Sequence, residues 1–114
     1  MSDCIFCRIA SGEMGTELIW EGDHVVAFRD INAQAPTHIQ VIPRRHVARI
    51  ADFDAASDGA WLTEMFRAAR ELAEREGLGQ GFRLVVNNGA LAGQSVLHVH
   101  LHLLGGRQLG WPPG

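Results

Sequence analysis

A chain of 114 residues with 46% hydrophobic and 20% charged residues has the profile of one ordinary globular domain, residues 1–114, with a core of modest size. The net charge of −3 exerts no pull toward nucleic acid or an anionic membrane. All ten cations are arginine and tyrosine is absent, which excludes P-loop lysine, Schiff-base lysine and tyrosine-acid chemistry. No apolar run approaches the ~18 residues of a membrane span and no signal-peptide pattern opens the chain, so it reads as cytoplasmic.

The opening "DCIFCRIASGE" predicts a short helix ended near Gly12, with Asp3 as N-cap and Cys4 and Cys7 on one face. Two cysteines this close make no disulfide framework. "ELIWE" (17–21) and "HVVAFRD" (24–30) read as strands joined by a Gly22-Asp23 turn. "THIQVIP" (37–43) is a third strand, stopped by Pro43, which has no N–H for a ladder. Arg44, Arg45 and Arg49 after it read as solvated surface. Residues 58–77 form the clearest helix. Trp61, Leu62, Met65, Phe66, Ala69, Leu72 and Ala73 make its apolar stripe, with Ser57 or Asp58 capping the start and Gly77 the end. Arg67–Glu71, Arg70–Glu74 and Glu71–Arg75 are i,i+4 pairs on its wet face. A strand at 82–87, a glycine-containing loop at 88–95 and a strand at 96–104 follow, and the tail is irregular. Hairpin-length connections predict an α+β fold: a mainly antiparallel five-stranded sheet, one short N-terminal helix, and one long helix over a sheet face.

"HVHLHLL" (98–104) carries the chemistry. In a strand, His98, His100 and His102 project from one face at ~6.6 Å intervals, and Leu97, Val99, Leu101 and Leu103 project into the core. A solvated polar face is the bland reading, but three alternating histidines favour function. Two functions fit: a zinc chelate, since histidines at i and i+2 can share one ion, or a catalytic row. The preceding "NNGALAGQS" offers backbone N–H groups, small side chains and a hydroxyl, as oxyanion cradles do.

These residues resemble the histidine-triad (HIT) superfamily. "HVHLHLL" matches its pattern of alternating histidines and apolar residues. "FRDINAQAPTHIQVIPRRH", "LVVNNG", "GQSVLHVHLHLLGGRQ" and the terminal "WPPG" look like its Hint branch. The resemblance covers nearly the whole chain. It implies a homodimer with sheets joined across a two-fold axis and a purine nucleoside phosphoramidase acting through a nucleotidyl-histidine intermediate. It assigns the nucleophile to His100, with His102 and His38 as acid candidates. It places Asn87, Gly93, Gln94 and Ser95 at the phosphate, Ser95 with the catalytic group. Asp30 matches the carboxylate that holds the ribose hydroxyls. Phe6, Ile9 and Ile31 match the apolar slot around the purine, and Trp111 a tail residue reaching the partner's site.

Three features depart from the commonest animal pattern of that family. Asn88 replaces an acidic residue, Gly110 stands where a histidine often precedes the tail tryptophan, and Cys4-x-x-Cys7 is absent there. The first two bear on leaving-group preference and the third on zinc. The two-residue spacing of the cysteines suits structural zinc, a redox pair or two buried thiols, and no strand precedes them as in a thioredoxin-like motif. By resemblance to metal-binding members of the superfamily, His46 and His98 complete a closed, structural Cys₂His₂ site. Zinc is thus the expected cofactor, and catalysis needs none. The alternative functions are a dinucleoside polyphosphate hydrolase and a non-enzymatic purine-nucleotide sensor; no nucleic-acid or membrane partner is expected.

Overall fold

The computed structural model describes residues 3–114. The elements are α1 (Ile5–Ala10), β1 (Trp20–Glu21), β2 (Val25–Arg29), β3 (Thr37–Pro43), α2 (Ala55–Arg75), β4 (Phe82–Val85) and β5 (Leu101–Gly105), with 3₁₀ turns at Ile50–Asp52 and Ala90–Ala92. The five strands form one sheet in the order β1-β2-β3-β5-β4, every pairing antiparallel. The α+β class, the strand count and the two helices agree with expectation. No helix among the described residues is long and apolar enough to cross a membrane.

Alternation divides the sheet into two working faces. Val25, Ala27, Ile39, Val41, Leu101 and Leu103 point to α2 and meet its buried Trp61, Met65, Ala69 and Leu72. Val26, Phe28 and Ile42 point the other way and pack with Phe6, Ile9 and Ala10 of α1. His38 and Gln40 of β3 share that second face, and His102 is the register partner of Gln40 on β5.

Several boundaries differ from expectation. The N-cap of α1 is Cys4, not Asp3: the Cys4 sulfur accepts from the Cys7 N–H at 3.4 Å. The N-cap of α2 is Asp54, not Ser57 or Asp58. Its carboxylate accepts from the Ala56 N–H at 3.1 Å, so the helix starts three residues earlier than residue 58. Asp58 is instead buried, taking the Asp54 N–H and Arg45. Gly77 does end α2, in a left-handed conformation at φ +73°, with the Leu78 N–H reaching back to the Ala73 carbonyl. Phe66 of the expected stripe is largely exposed. None of the three i,i+4 pairs is among the ion pairs of the described residues. Arg67 and Arg75 turn instead onto the Trp20 ring, at 5.9 and 5.6 Å.

The largest correction concerns residues 96–100. Ladder pairing starts only at Leu101, and Leu97 is 59% exposed rather than in the core. The approach to β5 is pinned by one backbone bond, Val99 N–H to Val47 carbonyl at 2.8 Å, and by the rings of His98 and His100.

Candidate functional site

The histidine row splits into two clusters. In the first, the N-terminal cap of α1, the segment after β3 and the approach to β5 bring Cys4, Cys7, His46 and His98 together, their ligand atoms all within 4.8 Å of one another. His98 is fully buried, and its Nε2–H donates to the Pro43 carbonyl at 2.8 Å. That bond places the ring proton on Nε2 and turns the Nδ1 lone pair toward the cluster. His98 Nδ1 lies 3.3 Å from Cys4 Sγ, 3.5 Å from Cys7 Sγ and 3.3 Å from His46 Nδ1, and Cys7 Sγ lies 3.3 Å from His46 Nδ1. A tetrahedral ion with bonds of ~2.0–2.3 Å spaces its ligands by roughly 3.3–3.8 Å, so the four donors fit one. Burial pushes the His98 ring down to about 4, with His46 and His100 adding to the shift and the Pro43 carbonyl opposing it. The ring is therefore neutral at pH 7, the form that ligates metal.

In the second cluster, His100 Nδ1–H donates to the His98 carbonyl at 2.7 Å. The proton sits on Nδ1 and the Nε2 lone pair is left for chemistry. Phe6 packs edge-on against both rings, with centroids 5.1 Å from His100 and 5.9 Å from His98. His102 stands beside His100 at a ring separation of 4.9 Å. Its tautomer follows from a chain of bonds. The Gln34 N–H donates to His38 Nδ1 at 3.0 Å, so His38 carries its proton on Nε2. His38 Nε2–H then donates to His102 Nδ1 at 2.9 Å, which leaves the His102 proton on Nε2. That Nε2 is buried with no hydrogen-bond partner among the described residues. Burial pushes the His102 ring down to about 4, with His100 and His38 contributing. Burial also lowers His38, against the pull of Asp30, whose Oδ2 is 3.4 Å from His38 Nε2. The arrangement thus sets the His100 nitrogen that makes no backbone bond beside the proton-bearing nitrogen of His102.

Asp30 also joins this cluster. Its Oδ1 accepts from the Asn32 N–H and its Oδ2 from Gln40 Nε2, both at 2.8 Å. The loop before the triad turns on Gly89 and Gly93, both near φ +88°, which L side chains rarely adopt. The Gly93 and Gln94 N–H groups close the loop on Ala90 and Gly89, and the Gln94 amide spans Gly89, Ala48 and Val96. Gln94 therefore shapes the loop, while Ser95 is exposed and enters no hydrogen bond among the described residues. Ser95 lines a depression of about 580 Å³ that also touches Cys4, His46 and Leu97. Asn87 is half-buried. Phe6 and Ile9 are buried beneath the site, Ile31 is fully exposed, and Trp111 is 81% exposed with Arg83 over its ring at 5.9 Å.

Sequence reasoning did not single out Phe28 and Gln40, which share the histidine face. The period-two alternation of "FRD" and "HIQVIP" carries that signal once the register is known. The backbone partners, the carbonyls of Pro43 and His98 and the N–H of Gln34, carry no side-chain signature at all.

Comparison with known proteins identifies the family. The HIT domain family model matches residues 11–109. The chain is 43% identical to an uncharacterized HIT-like protein of Synechocystis sp., over 98% of this chain and 97% of the relative. Among solved structures, a HIT family hydrolase from Legionella pneumophila superposes with a TM-score of 0.94 at 48% identity, covering 98% of this chain and 100% of that one. A histidine triad nucleotide-binding protein from Candida albicans gives 0.82 at 29% identity, covering 96% and 83%. With matches at this coverage, the chain belongs to the HIT domain family.

Proposed function

We propose that this chain is a nucleotide-binding hydrolase of the Hint type, cleaving the P–N bond of purine nucleoside 5′-phosphoramidates. The observation that carries the reading is the His100 Nδ1–H bond to the His98 carbonyl, because it leaves the Nε2 lone pair free to attack phosphorus. The Candida albicans neighbour is a nucleotide-binding protein by description and the Legionella pneumophila neighbour a hydrolase, which supports the class.

In the first step His100 Nε2 bonds to phosphorus and the P–N bond breaks. The amine leaves with the bonding pair and takes a proton, for which His102 Nε2–H is the nearest ring donor. An anionic phosphate beside His102 favours its protonated form, so giving up that proton leaves a neutral ring. Water then attacks the nucleotidyl-His100, the N–P bond pair returns to the ring, and the water's proton restores the donor. His38 Nε2–H fixes the tautomer of the resting, uncharged His102 and releases its Nδ1 when that ring takes a second proton. Ser95, Asn87, Gly93 and Gln94 flank the phosphate, and Asp30 holds the ribose. Phe6, Ile9 and Ile31 bound the base, and Trp111 extends to the partner's site.

Cys4, Cys7, His46 and His98 would hold a structural zinc, tying α1 to the sheet; the spacing and tautomer of their donor atoms support this. The fold works as one domain, 1–114, in a cytoplasmic homodimer. An open β4 edge and the exposed Phe82 beside it support a sheet continued across a two-fold axis. Turnover of adenosine 5′-phosphoramidate and of AMP joined to a lysine-like amine, set against diadenosine polyphosphates, tests the reading. A clear kcat/KM preference for the amides is expected; a preference for the polyphosphates, or no turnover of either with AMP bound, overturns it.

A further inference from the structure

Gln40 sits in the middle of β3, the central strand, and is only 8% exposed. Its flanking residues Ile39 and Val41 face the α2 core, so its own side chain lies on the histidine face. Its register partners there are Phe28 on β2 and His102 on β5. A buried carboxamide is costly unless both of its ends are hydrogen-bonded. One end is: Nε2 donates to Asp30 Oδ2 at 2.8 Å. Because a carboxylate only accepts, this bond also fixes the amide's orientation and leaves the carbonyl oxygen as the other end. That oxygen, Oε1, is buried with no partner among the described residues.

The second buried orphan on this face is His102 Nε2. The two have opposite needs. His102 Nε2–H lacks an acceptor, and Gln40 Oε1 lacks a donor. A nucleoside 5′-phosphate supplies both kinds of group in one molecule: phosphoryl oxygens that accept and ribose hydroxyls that donate. Asp30 decides which hydroxyls are in reach. Its Oδ1 and Oδ2 already accept from the Asn32 N–H and from Gln40, so each oxygen retains one further lone pair. A vicinal diol held by that carboxylate brings a hydroxyl next to the carboxamide bonded to it.

We infer that Gln40 is a ligand-contacting specificity residue, whose Oε1 accepts a hydrogen bond from the ribose diol of the bound nucleotide while its Nε2 holds Asp30 in place. This rests on the nucleotide site proposed above and deepens it: sugar selection falls to an amide–carboxylate pair rather than to Asp30 alone.

Calorimetric titration of AMP, 2′-deoxy-AMP and 3′-deoxy-AMP into wild type, Gln40→Met and Gln40→Leu tests this, with GMP and IMP as base controls. Wild type should favour AMP over at least one deoxynucleotide, and both variants should lose roughly tenfold of that preference, the size of one hydrogen bond. An unchanged preference in folded variants overturns the role of Gln40 and leaves the nucleotide site standing. So does a change confined to the GMP-over-IMP ratio, which would assign the oxygen to the base's amino group. A wild type that binds no AMP overturns both readings. The wild type alone gives a second measure if the variants fail to fold. The side-chain amide NMR signal of Gln40 should move on adding AMP and stay in place with 2′,3′-dideoxy-AMP; equal movement with both would also overturn the inference.

Discussion

At the scale of single residues, chemistry here is set by which nitrogen of each ring carries the proton. His100 has its Nδ1 tied to a carbonyl, so an asparagine in its place removes the lone pair to which the proposed reaction assigns the attack while filling much of the same space. His100→Asn should lower turnover of an AMP amide by more than about a thousandfold yet still bind AMP, as measured by steady-state kinetics beside calorimetry. Turnover within tenfold of wild type would place the nucleophile elsewhere. His102 makes a second prediction, through stability. Its folded value of about 4 lies below the ordinary 6.5, and His38 is shifted in the same direction. Above pH 6.5 neither folded nor unfolded chain is protonated there, and the fold is unaffected. Between 6.5 and 4 the unfolded chain takes up protons that the folded chain refuses, so stability falls as pH drops through that window. Melting temperature should fall from pH 7 to pH 4.5, and His102→Gln should flatten that fall; equal slopes in the two proteins would contradict the assignment. His98, His100 and His102 were legible in the sequence as candidates from their spacing, and His38 only from the family resemblance. Their tautomers were not, because the Pro43 and His98 carbonyls and the Gln34 N–H that set them belong to the backbone. Gln40 escaped for a related reason: a lone glutamine in an apolar strand has meaning only once its neighbours across the sheet are known.

At the scale of elements, α1 is the informative case. It has six residues, too few to be stable alone, and three ties hold it: the Cys4 cap, the packing of Phe6 and Ile9, and the Cys/His cluster. Cys4→Ser removes one donor of the proposed zinc site and leaves α1 an N-cap, because a serine hydroxyl accepts in place of the sulfur. The purified variant should carry well under the roughly one zinc per chain expected of wild type, and should melt more than about 4 °C lower while keeping turnover. Elemental analysis and calorimetry decide this, and a metal-free wild type would refute the zinc site. The strands show how far pattern carries. β3 is legible to the residue, because alternation and Pro43 end it sharply. The 96–104 segment has the same alternation, yet only Leu101 onward joins the ladder. Side-chain period records which face a residue takes, not whether its backbone has a neighbour to pair with. The start of α2 was displaced for a comparable reason: Ser57, Asp58 and Asp54 can all cap, and burial of Asp58 against Arg45 removes it from the choice.

At the scale of the whole molecule, the β4 edge predicts association. Light scattering at micromolar concentration should give twice the chain mass of 12.5 kDa; a monomer there would contradict the two-fold assembly. The two faces of the sheet predict something different. Met65 lies wholly in the α2 core, away from the histidines. Met65→Ala should cost about 2–5 kcal/mol of stability, read by denaturant unfolding. In the fraction that stays folded, kcat/KM should remain within about threefold of wild type; a larger change would mean that the two faces are mechanically coupled. The same partition shapes how such a protein can change over time. Substitutions in the α2 core retune rigidity away from the histidines, whereas the histidine face carries both its own buried cluster and the candidate site. His98 serves both clusters, since its ring belongs to the Cys/His cluster and its carbonyl orients the His100 ring. Only the ring is encoded by the choice of amino acid; the carbonyl comes with any residue. Affinity for the proposed zinc can thus be lost at that position by a single substitution, while the orientation of His100 survives for as long as the backbone there keeps its path.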